Sequence, residues 1–343
     1  MLHFECDYTQ GFDPKVMEAL VKTNLDATSG YGLDPYCEKA TVLLKQQAGE
    51  QIAVHYLVGG TQTNMIVINS LLHSYQGVIS CESGHIHTHE TGAVEYTGHK
   101  VLALPAHDGK LDPKEVRSYV DQCVHDPQYE HIVQPKMVYI SQPTELGTMY
   151  TREELVQLRQ ICDQYDLYLF MDGARLGYGL AADTTLTLAD YVKYCDVFYI
   201  GLTKCGGGFG EVVVFKDDTV CPHFRSYMKQ GGAMLAKGRL LGVQAMVLFE
   251  GNHYQHICAH ALKMADRIKT ALKQASIPVL IDSPTNQIFP ILTTKQRKVF
   301  ESKYVISRWS DIDEDHHVIR IVTSWGSTSE AVDQLVETIA TLV

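Results

Sequence analysis

The chain reads Leu-Tyr-Leu-Phe-Met-Asp at residues 167–172 and Val-Phe-Tyr-Ile-Gly-Leu-Thr-Lys at residues 197–204. Both segments are nearly unbroken apolar runs, which is typical of strands covered on both faces in a parallel sheet. The first run ends in Asp172 and the second in Lys204. Because open α/β sheets bind ligands beyond the carboxyl ends of their strands, this pattern predicts that an acid and an amine meet in one crevice.

The surrounding sequence predicts a doubly wound α/β sheet. Four further strand candidates are short apolar runs. They are Gly77–Cys81, Lys100–Leu104, Met137–Ser141 and Val212–Phe215. Helix starts lie among them, such as Asp112-Pro113 and the capping box from Thr151 to Glu154. Helices that alternate with strands predict a mostly parallel sheet with helices on both faces.

From about Leu240 the pattern changes to a long helix followed by short strands. The helix runs to about Gln274, with a break predicted at Gly251-Asn252. Three strand candidates follow, at Val279–Ile281, Gln287–Leu292 and Val318–Val322, and a last helix is predicted to start at Ser327. We therefore expect a large α/β domain at residues 1–240 and a smaller α+β domain at residues 241–343. We also expect the N-terminal segment to pack on the small domain.

The composition bounds the class of protein. With 343 residues, 45% of them hydrophobic, the chain can bury a large core. Its net charge of -11 argues against nucleic acid or an anionic membrane as the main partner. No apolar run approaches the roughly 20 residues of a membrane-spanning helix, and residues 1–5 lack a signal-peptide pattern. The nine cysteines form no Cys-x-x-Cys pair, and their odd number cannot close fully into internal disulfides, so we expect a cytoplasmic protein.

A glycine-threonine turn is a candidate anion site. Gly59-Gly60-Thr61-Gln62-Thr63-Asn64 follows an apolar segment and precedes the helical run Met65–Leu72. Glycines let backbone N–H groups approach an anion, and a helix start adds partial positive charge. An ordinary glycine turn with a threonine N-cap explains the pattern equally well.

The polar segment after Gly77–Cys81 holds three histidines, His85, His87 and His89. One interpretation stacks the His85 ring on an aromatic cofactor. A rival interpretation takes all three as metal ligands, because alternate residues share one face of a strand. We favour a single functional histidine, His85, and no metal. Residues 90–93 predict a loop that enters a helix, and alternate residues no longer share one face there.

The residues at the two strand ends suit pyridoxal phosphate (PLP). Lys204 would form a Schiff base with the cofactor, and Asp172 would keep the pyridine nitrogen protonated. The apolar strand before Lys204 favours the neutral amine that this reaction needs. Arg320, a lone charge within the alternating strand Val318–Val322, could clamp a substrate carboxylate. Taken singly, each residue also fits a structural role, as an N-cap, a tight turn or a solvated charge.

Together these motifs resemble the threonine aldolase branch of the β-eliminating lyase family, PLP-dependent enzymes of fold type I. The resemblance covers nearly the whole chain, and it rests on the order and spacing of five motifs. They are Gly59-Gly60-Thr61-Gln62-Thr63-Asn64, Glu82-Ser83-Gly84-His85, Asp172-Gly173-Ala174-Arg175, Thr203-Lys204 and Arg320-Ile321-Val322-Thr323.

The resemblance implies a role for each matching residue. Lys204, Asp172 and His85 would be catalytic, with His85 stacked on the cofactor ring. The phosphate of PLP would be bound by Gly60, Thr61 and Thr203. Arg175 and Arg320 would hold the cofactor and the substrate carboxylate, Arg320 being the better carboxylate candidate.

Family members are oligomers with active sites near subunit interfaces, so the resemblance also implies a homodimer or homotetramer. The segment Ser29–Gly32 and the basic Lys237-Gly238-Arg239 could then serve the site of a neighbouring subunit.

Two departures from the family pattern fall at expected substrate-binding positions. Glu145 stands where family members that cleave threonine often carry a histidine. Cys6 stands where a serine is common near the substrate carboxylate. These departures affect the choice of substrate rather than the choice of cofactor.

The implied reaction is retro-aldol cleavage of a β-hydroxy-α-amino acid, of the L-threonine or L-allo-threonine type, to glycine and an aldehyde. The base that takes the β-hydroxyl proton could be His85, Glu145 or a bound water. A second PLP-dependent reaction, β-elimination from an amino acid, is the nearest alternative. A metal-dependent hydrolase that uses His85, His87 and His89 is an alternative from another class.

Overall fold

The computed structural model describes residues 1–342. Its strands, in chain order, are β1 (Leu2–His3), β2 (Ala53–Leu57), β3 (Gln76–Cys81), β4 (Lys100–Leu104), β5 (Gln134–Ser141), β6 (Tyr168–Asp172), β7 (Val197–Gly201), β8 (Glu211–Phe215), β9 (Gln287–Ile288), β10 (Ile291–Thr293), β11 (Tyr304–Val305), β12 (Ser307–Asp311) and β13 (His316–Val322).

The α-helices, in chain order, are α1 (Pro14–Lys22), α2 (Pro35–Ala48), α3 (Gly60–Leu71), α4 (His85–Thr88), α5 (Ala93–Tyr96), α6 (Pro113–Val124), α7 (Arg152–Gln164), α8 (Leu176–Ala182), α9 (Leu188–Tyr194), α10 (Phe224–Gln230), α11 (Arg239–Phe249), α12 (His253–Gln274), α13 (Thr294–Lys303) and α14 (Ser329–Ala340). Short 3₁₀ turns span Tyr129–His131 and Glu250–Asn252.

The main sheet has seven strands in the order β2-β8-β7-β6-β5-β3-β4. Of these seven strands, only β8 runs opposite to the other six, so the predicted mostly parallel sheet is confirmed. Alternate residues of β6 and β7 enter opposite cores. Met171 and Phe198 belong to the core on one face, whereas Phe170 and Tyr199 belong to the core on the other. Burial on both faces explains why these strands read as continuous apolar runs.

A smaller C-terminal sheet domain follows. It pairs β13 with β9, β10 and β12, all antiparallel, over a third core that includes Ile268 and Ile319. The N-terminal strand β1 pairs with β11 in parallel, and Phe4 joins the same core. These contacts place residues 2–4 against the C-terminal part of the chain, while the division into two domains at residue 240 stays a prediction.

Two strand predictions in this region are wrong. Within residues 1–342, Val279–Ile281 is not a strand, because it forms an isolated bridge between Val279 and Pro290 rather than a ladder. The predicted strand Gln287–Leu292 is two strands, β9 and β10, interrupted at Phe289-Pro290. Proline lacks the N–H that a continuous ladder needs.

Helix boundaries follow the capping signals closely. Asp13 and Asp112 cap α1 and α6 with proline in the first turn, and Thr151 forms the predicted capping box with Glu154. The break in the long helix is confirmed at Gly251, whose φ is 60°. No helix within residues 1–342 is long and apolar enough to cross a membrane.

Candidate active site

One cavity of about 340 Å³, the Lys204 cavity, opens at the carboxyl ends of β5, β6 and β7. Eight of the ten predicted site residues line it. They are Gly60, Thr61, His85, Glu145, Asp172, Arg175, Thr203 and Lys204. The structure therefore brings the acid and the amine of the two strand ends into one crevice, as the strand pattern predicts. Cys6 and Arg320 do not line it.

Two glycines allow the loop after β6 to lie directly on β7. A Cβ atom at Gly173 would fall 1.9 Å from the carbonyl oxygen of Tyr199, and one at Gly201 would fall 2.3 Å from the carbonyl oxygen of Ala174. The Gly201 N–H also donates to the Gly173 carbonyl at 2.9 Å. This backbone contact fixes Asp172 beside the strand that leads to Lys204.

Asp172 is a buried carboxylate held by several donors. Its Oδ2 accepts from the Tyr139 hydroxyl at 2.6 Å and from Asn64 Nδ2 at 3.1 Å, and its Oδ1 accepts from the Ala174 N–H at 2.9 Å. Burial acts to raise the pKa of Asp172, but the charge of His85 and the hydrogen bonds lower this pKa below its ordinary value. An ionised carboxylate at this depth can stabilise a buried cation.

Lys204 follows β7 and reaches the cavity from a loop, and the backbone carbonyl of Lys204 is fixed by a hydrogen bond. The Tyr178 hydroxyl donates to the Lys204 carbonyl at 2.6 Å, and Nζ lies 6.0 Å from the centre of the Tyr8 ring. Burial and the nearby Arg175 lower the pKa of Lys204, against the opposing effect of Asp7. The lowered pKa favours the neutral, nucleophilic amine.

His85 begins α4 and is oriented by a buried carboxylate. Its Nδ1 lies 2.7 Å from Oε1 of Glu90, which also accepts from Asn64 Nδ2 at 2.7 Å. Burial acts to lower the pKa of His85, but Glu90 and Asp172 raise this pKa above its ordinary value. The His85 ring is thus held against the cavity as a partner of two acids.

The metal-ligand interpretation of the three histidines does not fit the local structure. His85 and His87 lie in the helical turn α4, where alternate residues do not share a face. The His89 ring stacks on His85 at 5.7 Å instead. Throughout the described chain, no group of three His, Cys, Asp or Glu side chains is arranged to hold a metal ion.

The glycine-threonine turn forms the start of a twelve-residue helix, α3. Its first hydrogen bond runs from the Thr63 N–H to the Gly59 carbonyl at 3.0 Å, so the N–H groups of Gly60, Thr61 and Gln62 precede the helical ladder. Gly60 and Thr61 line the cavity. Such N–H groups and the helix dipole suit a phosphate.

Arg175 is held in a buried ion pair that sequence reasoning missed. Its Nε and Nη2 donate to the two carboxylate oxygens of Asp7 at 2.8 and 3.0 Å. Asn286 Nδ2 also donates to Asp7, at 3.0 Å. Asp7 is fully buried, and it ties the N-terminal segment to the cavity wall and to the C-terminal domain.

Arg320 and Cys6 lie near the edge of the cavity rather than in its wall. Arg320 Nη2 donates to the Glu5 carbonyl at 3.1 Å, and its guanidinium lies 5.4 Å from the centre of the Trp309 ring. Burial and the Cys6 thiol raise the pKa of Tyr8, while Arg320 acts to lower it. Both predicted residues therefore act on Tyr8, which itself lines the cavity.

Two acids of the cavity wall escaped the sequence prediction. Glu90 contacts His85, five residues before it, and Asn64, 26 residues before it, and the sequence pattern did not single it out. Glu211 is a charge at the start of the apolar strand β8, and this exception in a buried run is a signal that could have identified it. Its Oε1 accepts from the Thr203 hydroxyl at 3.1 Å, and burial raises the pKa of Glu211 well above its ordinary value.

These residues fit PLP. The cavity volume lies within the range of about 300–1,000 Å³ found for small-molecule sites. Glu211 Oε2 is buried without a hydrogen-bond partner in residues 1–342, which is the state expected of a group that meets a polar ligand. An amine, a buried carboxylate and a helix start thus offer partners for an aldehyde, a ring nitrogen and a phosphate.

Comparisons with known proteins agree with this geometry. The family model described as beta-eliminating lyase matches residues 5–294. The low specificity L-threonine aldolase of Pseudomonas sp. strain NCIMB 10558 is 30% identical over 280 residues, which cover 80% of this chain and 79% of that protein. The structure of Leishmania major threonine aldolase is 38% identical, with a TM-score of 0.96, over 100% of this chain and 99% of that one. A PLP-bound protein from Clostridium difficile 630, at 12% identity and a TM-score of 0.71, covers 98% of this chain and 92% of its own and shares the fold.

Proposed function

The chain belongs to the β-eliminating lyase family, and on this basis we propose that it is a PLP-dependent aldolase of fold type I. It cleaves a β-hydroxy-α-amino acid of the L-threonine or L-allo-threonine type to glycine and an aldehyde. The observation that carries this proposal is the placement of Asp172 and Lys204 in one cavity, in a chain that superposes over its full length on a threonine aldolase.

The residues of the cavity would hold PLP at three points. Lys204 Nζ would hold its aldehyde carbon, and Asp172 would keep the ring nitrogen protonated. The N–H groups of Gly60 and Thr61, with the Thr203 hydroxyl, would bind the phosphate. His85 would cover one face of the ring. When bound, PLP supplies a sink for the electron pair that the breaking Cα–Cβ bond leaves at Cα.

The substrate would be oriented by its carboxylate. Arg320 is the principal candidate, because a guanidinium binds a carboxylate with two parallel hydrogen bonds. Arg175 is fixed by Asp7 at Nε and Nη2, so it can reach a ligand only with its remaining Nη1. Tyr8 lies over Lys204 and would exclude water from the amine. Cys6 and Glu145 complete the proposed substrate-binding residues.

The assembly and the compartment belong to the same proposal. We expect a homodimer or homotetramer with active sites near the subunit interface. The two segments expected to serve a neighbouring site lie together, since the Tyr31 N–H donates to the Ala236 carbonyl at 3.3 Å. All nine cysteines are free thiols, which supports a reducing cytoplasm.

The products separate this function from its nearest alternative. The purified protein, supplied with PLP and L-threonine, is expected to release glycine and acetaldehyde, whereas β-elimination would release ammonia and a 2-oxo acid. The products of both reactions are measured in one incubation. The Lys204→Ala variant, which lacks the amine, is the control. Ammonia without glycine would contradict the proposed reaction and leave the cofactor assignment standing.

A further inference from the structure

The proton acceptor of the proposed reaction can be chosen from the structure. Sequence reasoning leaves His85, Glu145 and a bound water as candidates. Carbon–carbon cleavage needs a group that takes the β-hydroxyl proton while the Cα–Cβ bond breaks. The acceptor must therefore have a free lone pair at the cavity wall.

His85 is a poor acceptor because its environment favours the protonated ring. Its Nδ1 is occupied by Glu90 at 2.7 Å, and Glu90 is itself fully buried at its side chain. The same acid and Asp172 raise the pKa of His85 despite its burial. A raised pKa favours the protonated form of the ring, which has no lone pair to accept a proton.

Glu145 has the opposite arrangement, with one oxygen fixed and the other free. Oε1 accepts from the His85 backbone N–H at 3.0 Å and from the Ser141 hydroxyl at 2.8 Å. Oε2 is buried and has no hydrogen-bond partner in the part of the chain that the structure describes. Glu145 also lines the Lys204 cavity, so its side chain borders the space that a substrate would occupy.

The loop that carries Glu145 is held rigidly by the C-terminal domain. The Gly147 carbonyl accepts from the hydroxyls of Ser283 and Thr285 at 3.1 and 3.0 Å. The Thr144 carbonyl accepts from Gln287 Nε2 at 3.3 Å. A catalytic group on a loop held in this way is already in position, so no conformational entropy is lost in ordering it during the reaction.

We propose that Glu145 is the general base that accepts the β-hydroxyl proton through Oε2. This assignment rests on the proposed aldolase function. The O–H bond breaks as the Oε2–H bond forms, the oxygen becomes the carbonyl oxygen of the aldehyde, and the Cα–Cβ electron pair stays with Cα. The proton count closes, because glycine gains one proton at Cα for the one that the hydroxyl loses. Burial raises the pKa of Glu145, and a base with a raised pKa accepts a proton more readily.

The test separates cleavage from the steps that need no hydroxyl base. Glu145→Gln keeps the shape of the side chain and removes its basicity. With L-threonine its kcat is expected to fall about 10²–10⁴-fold, the usual contribution of a general base. Exchange of the glycine α-proton in D₂O, the dissociation constant of PLP and that of L-2-aminobutyrate, which is threonine without its hydroxyl, are expected to stay unchanged. Glu153→Gln, the same change at an exposed site, is the matched control.

A second variant keeps the proposal falsifiable if Glu145→Gln folds poorly. Glu145→Ala is expected to regain threonine cleavage with added formate, because a small carboxylate can occupy the vacated position. Cleavage by Glu145→Gln at the wild-type rate would overturn the proposal, and so would an equal loss of glycine α-proton exchange. Failure of the wild-type protein to form glycine from threonine would instead refute the proposed function itself.

Discussion

Replacing Asp7 by alanine tests how the cavity wall is held together. Asp7 is fully buried and accepts three hydrogen bonds, two from the Arg175 guanidinium and one from Asn286. Asp7→Ala leaves the guanidinium buried without its counter-charge. Removing one partner of a buried ion pair costs about 3–5 kcal/mol. The two charge-assisted hydrogen bonds lost from Arg175, at about 1.5–3 kcal/mol each, sum to about 3–6 kcal/mol, which overlaps this range.

The free energy of unfolding is measured by urea titration, followed by the fluorescence of the two tryptophans. The double variant Asp7→Ala/Arg175→Met is the control, because it removes both charges and leaves no buried ion unpaired. We expect this variant to recover most of the stability that Asp7→Ala loses.

The effect of Asp7 also has a defined pH dependence. Burial acts to raise the pKa of Asp7, but Arg175 and Lys204 lower it below the ordinary value of 3.8. A lowered pKa stabilises the folded protein above this ordinary value, and the stabilisation is lost as the pH falls through the folded-state pKa. A loss below about 1 kcal/mol at neutral pH would refute the reasoning, since that is the range of solvent-exposed pairs.

Three further substitutions have defined outcomes. Asp172→Asn keeps the shape of the residue and removes its charge. We expect kcat for threonine cleavage to fall about 10²–10³-fold, as for other preorganised electrostatic groups. An unchanged kcat would contradict this expectation. Gly173→Ala places its Cβ on the Tyr199 carbonyl. We expect the free energy of unfolding to fall by about 1–3 kcal/mol, measured by calorimetry, and PLP to bind more weakly, measured by absorbance titration. Wild-type values for both would show that the loop can shift freely. Burial raises the pKa of Glu211 well above its ordinary 4.5. This raised pKa stabilises the folded protein fully below pH 4.5, and the stabilisation is lost as the pH rises through the folded-state pKa. Glu211→Gln should therefore become more stable relative to the wild type with rising pH, and parallel curves of Tm against pH would contradict this.

The elements that the sequence predicted well are those in which local pattern and tertiary burial agree. β6 was predicted to within one residue and β7 begins at the predicted residue, because strands buried on both faces must be apolar throughout. By contrast, β12 is mostly exposed and reads as a polar segment without periodicity. β1 and β11 have two residues each and exist only because distant parts of the chain pair.

The last helix shows how narrow a boundary error can be. The sequence predicted a cap at Ser327, whereas the Thr328 side chain accepts from the Ala331 N–H. Both residues carry a hydroxyl that can cap a helix, so propensity alone cannot choose between them. The choice is made by tertiary contacts, since the Ser327 hydroxyl accepts from the Ser324 N–H instead.

The residues of the candidate site also fall into two groups, those that a local sequence pattern could identify and those that depend on tertiary contacts. Asp172 and Lys204 could be found because each ends an apolar strand and adjoins glycines that a close backbone approach requires. Asp7 could not, because its importance comes from contacts with residues distant in the sequence. Asp7 meets Arg175, 168 positions away, and no local pattern records that pairing.

The central claim is that Lys204 holds PLP, and the visible absorption of the purified protein tests it most directly. We predict an absorption band that borohydride abolishes, with the reduced cofactor recovered on the peptide that contains Lys204. The Lys204→Ala variant should show neither the band nor the adduct. A colourless wild-type protein without an adduct at Lys204, even after PLP is supplied, would contradict the account, as would a Lys204→Ala variant that cleaves threonine at the wild-type rate.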